Sequence, residues 1–313
     1  MRAKTFILKL VCFISLFCLS DYIAGYVFRY LNSHSGDKFA REEFIRHDLK
    51  TDMIILGSSR ATHHYMPSVL ADSMEMSVYN CGQRGNGIIY EYGRLNTILD
   101  RYVPKFILVD VYRPYDFDEN DNSRYLDFLK PDYGKNSRID SLFWDIDKYN
   151  RIKMMIQSYR YNSTICDLLL NCLLKNRGRF DDNGFMPLKG IITERDFNSI
   201  MTKQSSSKMD DVKTKYFERL VLIAKLANLK IAFIISPYPK GCDERNYVPI
   251  SAISKKYDIP LFDYSNDIRI INDMSLWKDG SHLNSQGAQI FSMILASDLK
   301  KLWTNSFSEY GLH

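Results

Sequence analysis

The chain has 313 residues, 45% hydrophobic and 25% charged, the make-up of a globular protein with room for one large α/β domain and an insertion. A formal charge of +5 is too small to point to nucleic acid, and no repeat or low-complexity tract suggests a solenoid or a disordered chain. Six cysteines with no CxxC pair give no metal or redox motif: Cys12 and Cys18 fall in an apolar N-terminus, and Cys81, Cys166, Cys172 and Cys242 are expected as buried free thiols, the alternative being one disulfide whose pairing the spacing does not assign.

Residues 5–19 are almost all apolar, with Arg2, Lys4 and Lys9 at the leading end. A cleaved signal peptide needs small residues before its cleavage site, and none is convincing ahead of Asp21. Continuing through Phe28 supplies the ~20 apolar residues that cross a bilayer, with Asp21 as a cost. Residues 1–30 are therefore expected as an uncleaved membrane anchor, its basic end cytoplasmic and the bulk of the chain extracytoplasmic. Tyr22, Tyr26 and Tyr30 suit the outer interface, and residues 29–50 read as a polar connector.

The unbroken run Met53–Leu56, stopped by Gly57, predicts a buried strand of a parallel sheet. A helix follows at about 67–73 with Pro67 in its first turn, then a strand over 76–80, a helix over 88–102 and a strand over 106–111. From about 115 to 205 the alternation stops. An acidic stretch, 116–122, leads into aromatic, helix-patterned sequence, which is expected as an inserted, mainly helical cap, with Gly184–Gly190 as the loop that returns from it. A helix over 207–228, a strand over 229–235, a helix over 250–257, a strand over 259–264 and a final helix capped by Asn284 complete the pattern. The fold class expected is α/β: a flavodoxin-like three-layer sandwich with a five-stranded parallel sheet, a helical insertion and an N-terminal transmembrane anchor, residues 31–313 forming the domain.

Two serines follow Gly57 at the carboxyl end of the first strand, where ligands bind in open α/β sheets. A serine there presents its hydroxyl to a substrate and its own N–H to an oxyanion. Near the C-terminus Asp279 and His282 stand three residues apart; a histidine that takes a serine proton must be held in one tautomer, and a neighbouring carboxylate does that. With these residues in hand, Gly57-Ser58-Ser59 resembles the first block of the SGNH (GDSL-type) hydrolase and acyltransferase superfamily, with serine in place of aspartate. Asp279-Gly280-Ser281-His282 resembles its last block, and Tyr79-Asn80-Cys81-Gly82-Gln83-Arg84-Gly85 its second. The resemblance covers roughly residues 50–115 and 228–303, and the two end blocks in this order are specific together. It implies Ser59 as nucleophile, His282 as base, Asp279 as the group that orients it, and the N–H groups of Ser59 and Gly85 as the oxyanion hole.

The third block, Gly-x-Asn-Asp, is not found; its position reads Val109-Asp110-Val111-Tyr112-Arg113-Pro114. One missing oxyanion donor costs ~10²–10³ in rate, and Asn86, Tyr112 and Arg113 are candidates to replace it and to touch substrate. Arg60 and Arg84 flank the site as candidate contacts to a carboxylate or phosphate. Ser58 is expected to be structural, a cap for the following helix. Adjacent His63 and His64 rarely point the same way, so no metal and no cofactor are expected. A second glycine is absent after Ser59, which disfavours an α/β-hydrolase elbow.

The resulting expectation is a serine esterase or O-acyltransferase acting on acyl, in particular acetyl, esters of envelope or exported glycans. Its expected partners are an acylated carbohydrate or other ester, the bilayer through the N-terminal helix, and envelope-assembly proteins. The alternative is a catalytically degenerate SGNH-like protein that binds glycan or a partner in envelope polysaccharide assembly.

Overall fold

The computed structural model describes residues 2–35, 37–120, 125–173, 182–201 and 207–309. The chain forms two compact units, Met1–Asp48 with Leu126–Arg179 and Leu49–Tyr125 with Phe180–His313. The segment expected as one insertion over about 115–205 is divided between them; its residues 121–124, 174–181 and 202–206 lie outside the described residues.

The second unit holds the sheet: β1 (Met53–Leu56), β2 (Val78–Asn80), β3 (Phe106–Asp110), β4 (Lys230–Ile235) and β5 (Leu261–Asp263). All pairings are parallel, in the order β2-β1-β3-β4-β5. Ile55 is in register with Asn80 on one side and Leu108 on the other. β1 and β3 are buried at every position, because helices cover both faces of a parallel sheet. On one face Met53, Ile55, Leu108 and Ile234 share a core with Leu70 of the helix Pro67–Met74 and with Phe291, Leu295 and Leu299 of the last helix, Ser285–Glu309. On the other face Phe233 meets Phe217 of the helix Asp211–Leu226 with ring centroids 5.2 Å apart, and that helix packs along Ile88–Leu99. The result is the expected three-layer sandwich. In this strand order the connection reverses between β1 and β3, so the crevice for a ligand opens at their carboxyl ends.

Element boundaries shift by a few residues for identifiable reasons. The helix expected from 207 begins at Asp211, since the Asp210 carboxylate accepts the N–H groups of Val212 and Lys213 at 2.8 and 3.2 Å. Asn284 caps the last helix as expected, accepting from the Gly287 N–H at 3.0 Å. A six-residue helix, Ser59–His64, stands where the sequence reading had only a turn. All six cysteines are free, but of them only Cys81 is buried, which corrects the expectation for Cys166, Cys172 and Cys242.

The first unit begins with a helix, Arg2–His34, that is long and apolar enough to cross a membrane and whose apolar stretch is wholly exposed. Where a connector was expected, a second helix runs from Asp37 to His47. It forms because Phe39 has apolar partners: Tyr161, Leu168, Phe28 and Phe128 close a small core around it. Arg46 fastens the same helix by donating to Asp132 at 2.8 Å and to the Phe128 carbonyl at 2.7 Å. Asp21, a cost to a membrane span, is taken up by protein, accepting from the N–H groups of Gln157 and Ser158 and from the Ser158 hydroxyl at 2.7, 2.9 and 2.6 Å. At Gly25 any Cβ would stand 2.6 Å from that of Gln157, so the close crossing there demands glycine.

Behind the crevice two carboxyl groups are buried together. Both oxygens of Glu91 lack a hydrogen-bond partner among the described residues, and burial, then the charges of Asp116 and Asp110, push its pKa well above the usual range. Burial likewise drives Asp116 up to about 7, against the pull of the Tyr112 N–H. An acid whose pKa is raised by folding binds its proton more tightly in the folded state. Its stabilising contribution is complete below the ordinary value of 3.8 and is lost as pH rises towards about 7. Urea midpoints of the full chain in detergent are therefore expected to fall across that window, with each such group contributing at most about 1.4 kcal/mol per pH unit. Asp116→Asn is expected to flatten the fall; an unchanged slope would remove Asp116 from it.

Candidate active site

The site is assembled from three loops at the carboxyl ends of the strands. β1 ends in Gly57, whose φ of +145° few side chains adopt and whose Cβ would lie 2.7 Å from that of Ala61. This turn starts the Ser59–His64 helix directly at Ser59, leaving the hydroxyl half-buried and facing the crevice. The loop after β2 is tied to the same helix by Asn80. Its amide donates to the carbonyls of Ala61 and Tyr65 at 2.7 and 3.1 Å, and its Oδ1 accepts the Gly82 N–H at 3.0 Å. The third loop is a tight hairpin pinned by a bridge between Trp277 and Leu283, with the Lys278 N–H on the His282 carbonyl at 2.9 Å. Trp277 is fully buried and anchors the hairpin on the core.

Within that hairpin Asp279 Oδ1 accepts the N–H groups of Ser281 and His282 at 2.8 and 3.0 Å, which fixes the carboxylate. Both its oxygens then reach His282 Nδ1, at 3.0 and 3.1 Å. Nε2 on the far side of the same ring stands 2.9 Å from Ser59 Oγ. Burial raises the Asp279 pKa, but its hydrogen bonds and the neighbouring imidazole outweigh that, and the carboxyl is held below its usual value. With the carboxylate on Nδ1, that nitrogen carries the proton and Nε2 is the acceptor for the Ser59 hydroxyl. Among the described residues the backbone N–H groups of Ser59 and Gly85 have no acceptor; Gly85 sits in a left-handed turn at φ +78° with open space beside it.

Two histidines from which no metal site was expected, His63 and His64, lie against this unit. His64 Nε2 accepts the Leu283 N–H at 3.1 Å, and its Nδ1–H donates to Ser236 Oγ at 3.1 Å, so it holds the hairpin next to His282. His63 donates from Nδ1 to the Met186 carbonyl at 2.7 Å, and its ring meets that of His282 edge-on at 5.4 Å. Burial is the main cause that lowers both, His63 to about 4 and His64 well below the usual histidine value, so both are neutral near pH 7. Among the described residues no cluster able to hold a metal is present. Their signal in the sequence was their place, four and five residues after Ser59 on one short helix.

Other predicted contacts are arranged differently. Arg60 does not face a ligand: it is 1% exposed, donates to Ser236 Oγ at 3.0 and 2.8 Å and to the Pro237 carbonyl at 2.7 Å, and lies 3.7 Å over the Tyr238 ring. Its place on the helix between Ser59 and the core turns it inward, so it fastens the helix to the end of β4. Arg113 is likewise buried, paired with Asp118 at 3.0 Å and donating to the Asn246 carbonyl at 3.2 Å. Tyr112 is half-buried, its ring 5.2 Å from the Arg60 guanidinium carbon. Arg84 is exposed and near enough for its charge to act on His63. Asn86 is buried with its Oδ1 unpartnered among the described residues. Ser58 starts the short helix without a side-chain cap bond, and its hydroxyl is buried with no partner among those residues.

Gly57→Ala places a Cβ against Ala61 at a left-handed φ. It is expected to cost about 1–3 kcal/mol of stability and to move Ser59, with the loss read as a lower urea midpoint. Wild-type stability in that variant would show that the turn relaxes freely.

No protein-family model matches the sequence, and no curated protein matches it. Among solved structures the chain is similar to the psychrotrophic esterase EstA from Pseudoalteromonas sp., with 12% identity, a TM-score of 0.42, and coverage of 81% of this chain and 99% of that one. It is similar to the acetyl xylan esterase AlAXEase, with 12% identity, a TM-score of 0.40, and coverage of 81% and 98%. It is also similar to a GDSL-like lipase from Bacteroides thetaiotaomicron, with 8% identity, a TM-score of 0.38, and coverage of 85% and 98%. Likenesses this distant carry nothing about activity; what the chain has in common with them is an α/β architecture.

Proposed function

We propose that the chain is a membrane-anchored serine enzyme of the SGNH superfamily that breaks or transfers acyl esters. The observation that carries this is the continuous hydrogen-bonded line from Ser59 Oγ through both ring nitrogens of His282 to Asp279, at 2.9, 3.0 and 3.1 Å. Ser59 Oγ attacks the acyl carbon as its proton passes to His282 Nε2, and the Asp279 carboxylate offsets the charge on the imidazolium. The N–H groups of Ser59 and Gly85 receive the carbonyl oxygen as it becomes an oxyanion. His282 then returns the proton to the leaving alcohol oxygen, the C–O ester bond breaks, and the acyl group remains on Ser59. Water or a sugar hydroxyl, deprotonated by the same ring, takes the acyl group, and the ring passes that proton to Ser59 Oγ as the acyl–Oγ bond breaks. Neutral His63 and His64 add no positive charge to oppose that imidazolium.

The substrate class we infer is an O-acyl ester of an envelope or exported glycan. A site tethered beside a bilayer works at high effective concentration on polymers held at that surface. The second reading, a binding module without turnover, draws on the third block, whose Gly-x-Asn-Asp is not found in Val109-Asp110-Val111-Tyr112-Arg113-Pro114.

Turnover of p-nitrophenyl acetate separates the two. Ser59→Ala and His282→Ala are each expected to lose about 10³-fold or more in kcat, Asp279→Asn less, and the double variant Ser59→Ala/His282→Ala little beyond either single one. Equal turnover by wild type and Ser59→Ala would remove Ser59 from the mechanism, and no turnover by a folded wild type would favour the binding module. For the anchor, the full chain is expected to resist carbonate extraction and a chain beginning near Ser33 to be soluble; release of the full chain by carbonate would contradict it.

A further inference from the structure

The first unit carries a cavity of about 300 Å³ that the chemistry above does not use. One wall is a single face of the N-terminal helix: Tyr26, Arg29, Tyr30 and Ser33 recur at helical spacing. Arg46 and Lys135 line it from other elements of the same unit, with Glu43 as a counter-charge. Of the nearby carboxylates, Glu43 is engaged by Arg46 and by the Asn32 amide at 2.5 Å, and Asp132 by Arg46 at 2.8 Å and Lys135 at 3.2 Å. Arg29 has no ion-pair partner among the described residues and is exposed. Three cations thus stand against two carboxylates, and the unpaired one opens on solvent.

Its position is as informative as its charge. Leu10–Val27 is a stretch of about 27 Å at helical rise with Asp21 its one charged residue, close to the thickness of a bilayer core. Val27 is the last exposed aliphatic side chain of the helix, and Arg29 follows about 3 Å further along the axis. The headgroup layer is about 5–8 Å deep on each side of the core. Beside the helix, Asp21 holds Gln157 and Ser158, and just before them Tyr149, Ile152 and Met155 are all exposed among Lys148, Arg151 and Lys153. Exposed apolar side chains interleaved with basic ones are the make-up of an interfacial segment on anionic lipid.

Resting on the membrane anchor proposed above, we propose that this cavity binds the phosphate of an anionic phospholipid headgroup, with Arg29 and Lys135 as its charged donors and the tyrosines as its walls. The site holds the first unit on the membrane at a fixed height and orientation.

The test is native mass spectrometry of the full chain released from micelles doped with phosphatidylglycerol or phosphatidylcholine, with carbonate extraction run on the membranes from which the chain is purified. One phosphatidylglycerol is expected to stay bound in preference to phosphatidylcholine. Arg29→Gln with Lys135→Gln is expected to weaken that retention about tenfold or more, and Arg29→Lys, which keeps the charge, less. Equal retention by wild type and the double variant, or no preference between the lipids, overturns the proposal. Displacement of the lipid by inorganic phosphate would make it a free-phosphate site and overturn the lipid assignment. A chain washed off by carbonate fails as an anchor, whereas a membrane-retained chain without lipid preference fails at the cavity alone.

Discussion

Everything in the candidate site depends on one hydrogen bond, 2.9 Å long, between Ser59 and His282, groups 223 residues apart in the chain. Neither loop is held by that bond. The serine is fixed by a glycine turn at the end of a fully buried strand and by a short helix whose Arg60 is locked onto Ser236 beyond β4. The histidine is fixed by a hairpin whose Trp277 is buried in the core and whose Leu283 N–H is taken by His64. Because His64 belongs to the serine's own helix, one side chain couples the two halves directly. The geometry is therefore set by the fold itself, the preorganisation that the proposed proton transfer would need.

The electrostatics follow from burial. His63 and His64 are crowded against His282, yet desolvation keeps them neutral near pH 7, and of the three rings only that of His282 has the Asp279 carboxylate hydrogen-bonded to it. The same desolvation acts on Glu91 and Asp116 behind the crevice, where no cation compensates it fully and the protonated forms are favoured. Carboxyl groups in one unit are thus driven in opposite directions, Asp279 down by hydrogen bonds that outweigh its burial and Glu91 up by burial and by the charges of Asp116 and Asp110.

Much of the sheet was legible because its strands are short, unbroken apolar runs such as Met53–Leu56, a pattern that only two-sided burial requires. That Ser59, Asp279 and His282 would meet was legible from the Gly-Ser-Ser turn after the first strand and the three-residue Asp–His spacing, and the three side chains do lie in one hydrogen-bonded line. What escaped was whatever depended on distant contacts. Arg60 reads in sequence as a contact to a carboxylate or phosphate, and only the rings of Tyr112 and Tyr238 and the Ser236 hydroxyl make its burial intelligible. The helix Asp37–His47 looks like a polar connector, because its few apolar residues gain their value only from Tyr161 and Leu168, more than a hundred residues on. Asp21 looks like a defect in a membrane helix until the N–H groups of Gln157 and Ser158 come to it.

The claim on which the account stands is that Ser59 is an activated nucleophile. The most direct measurement is peptide mapping of the full chain after reaction with a fluorophosphonate, because only a serine deprotonated by a neighbouring base reacts readily. The account predicts one adduct, on Ser59, and its near disappearance in His282→Ala. An adduct on Ser58 or elsewhere, or none on a folded wild-type chain, would contradict it.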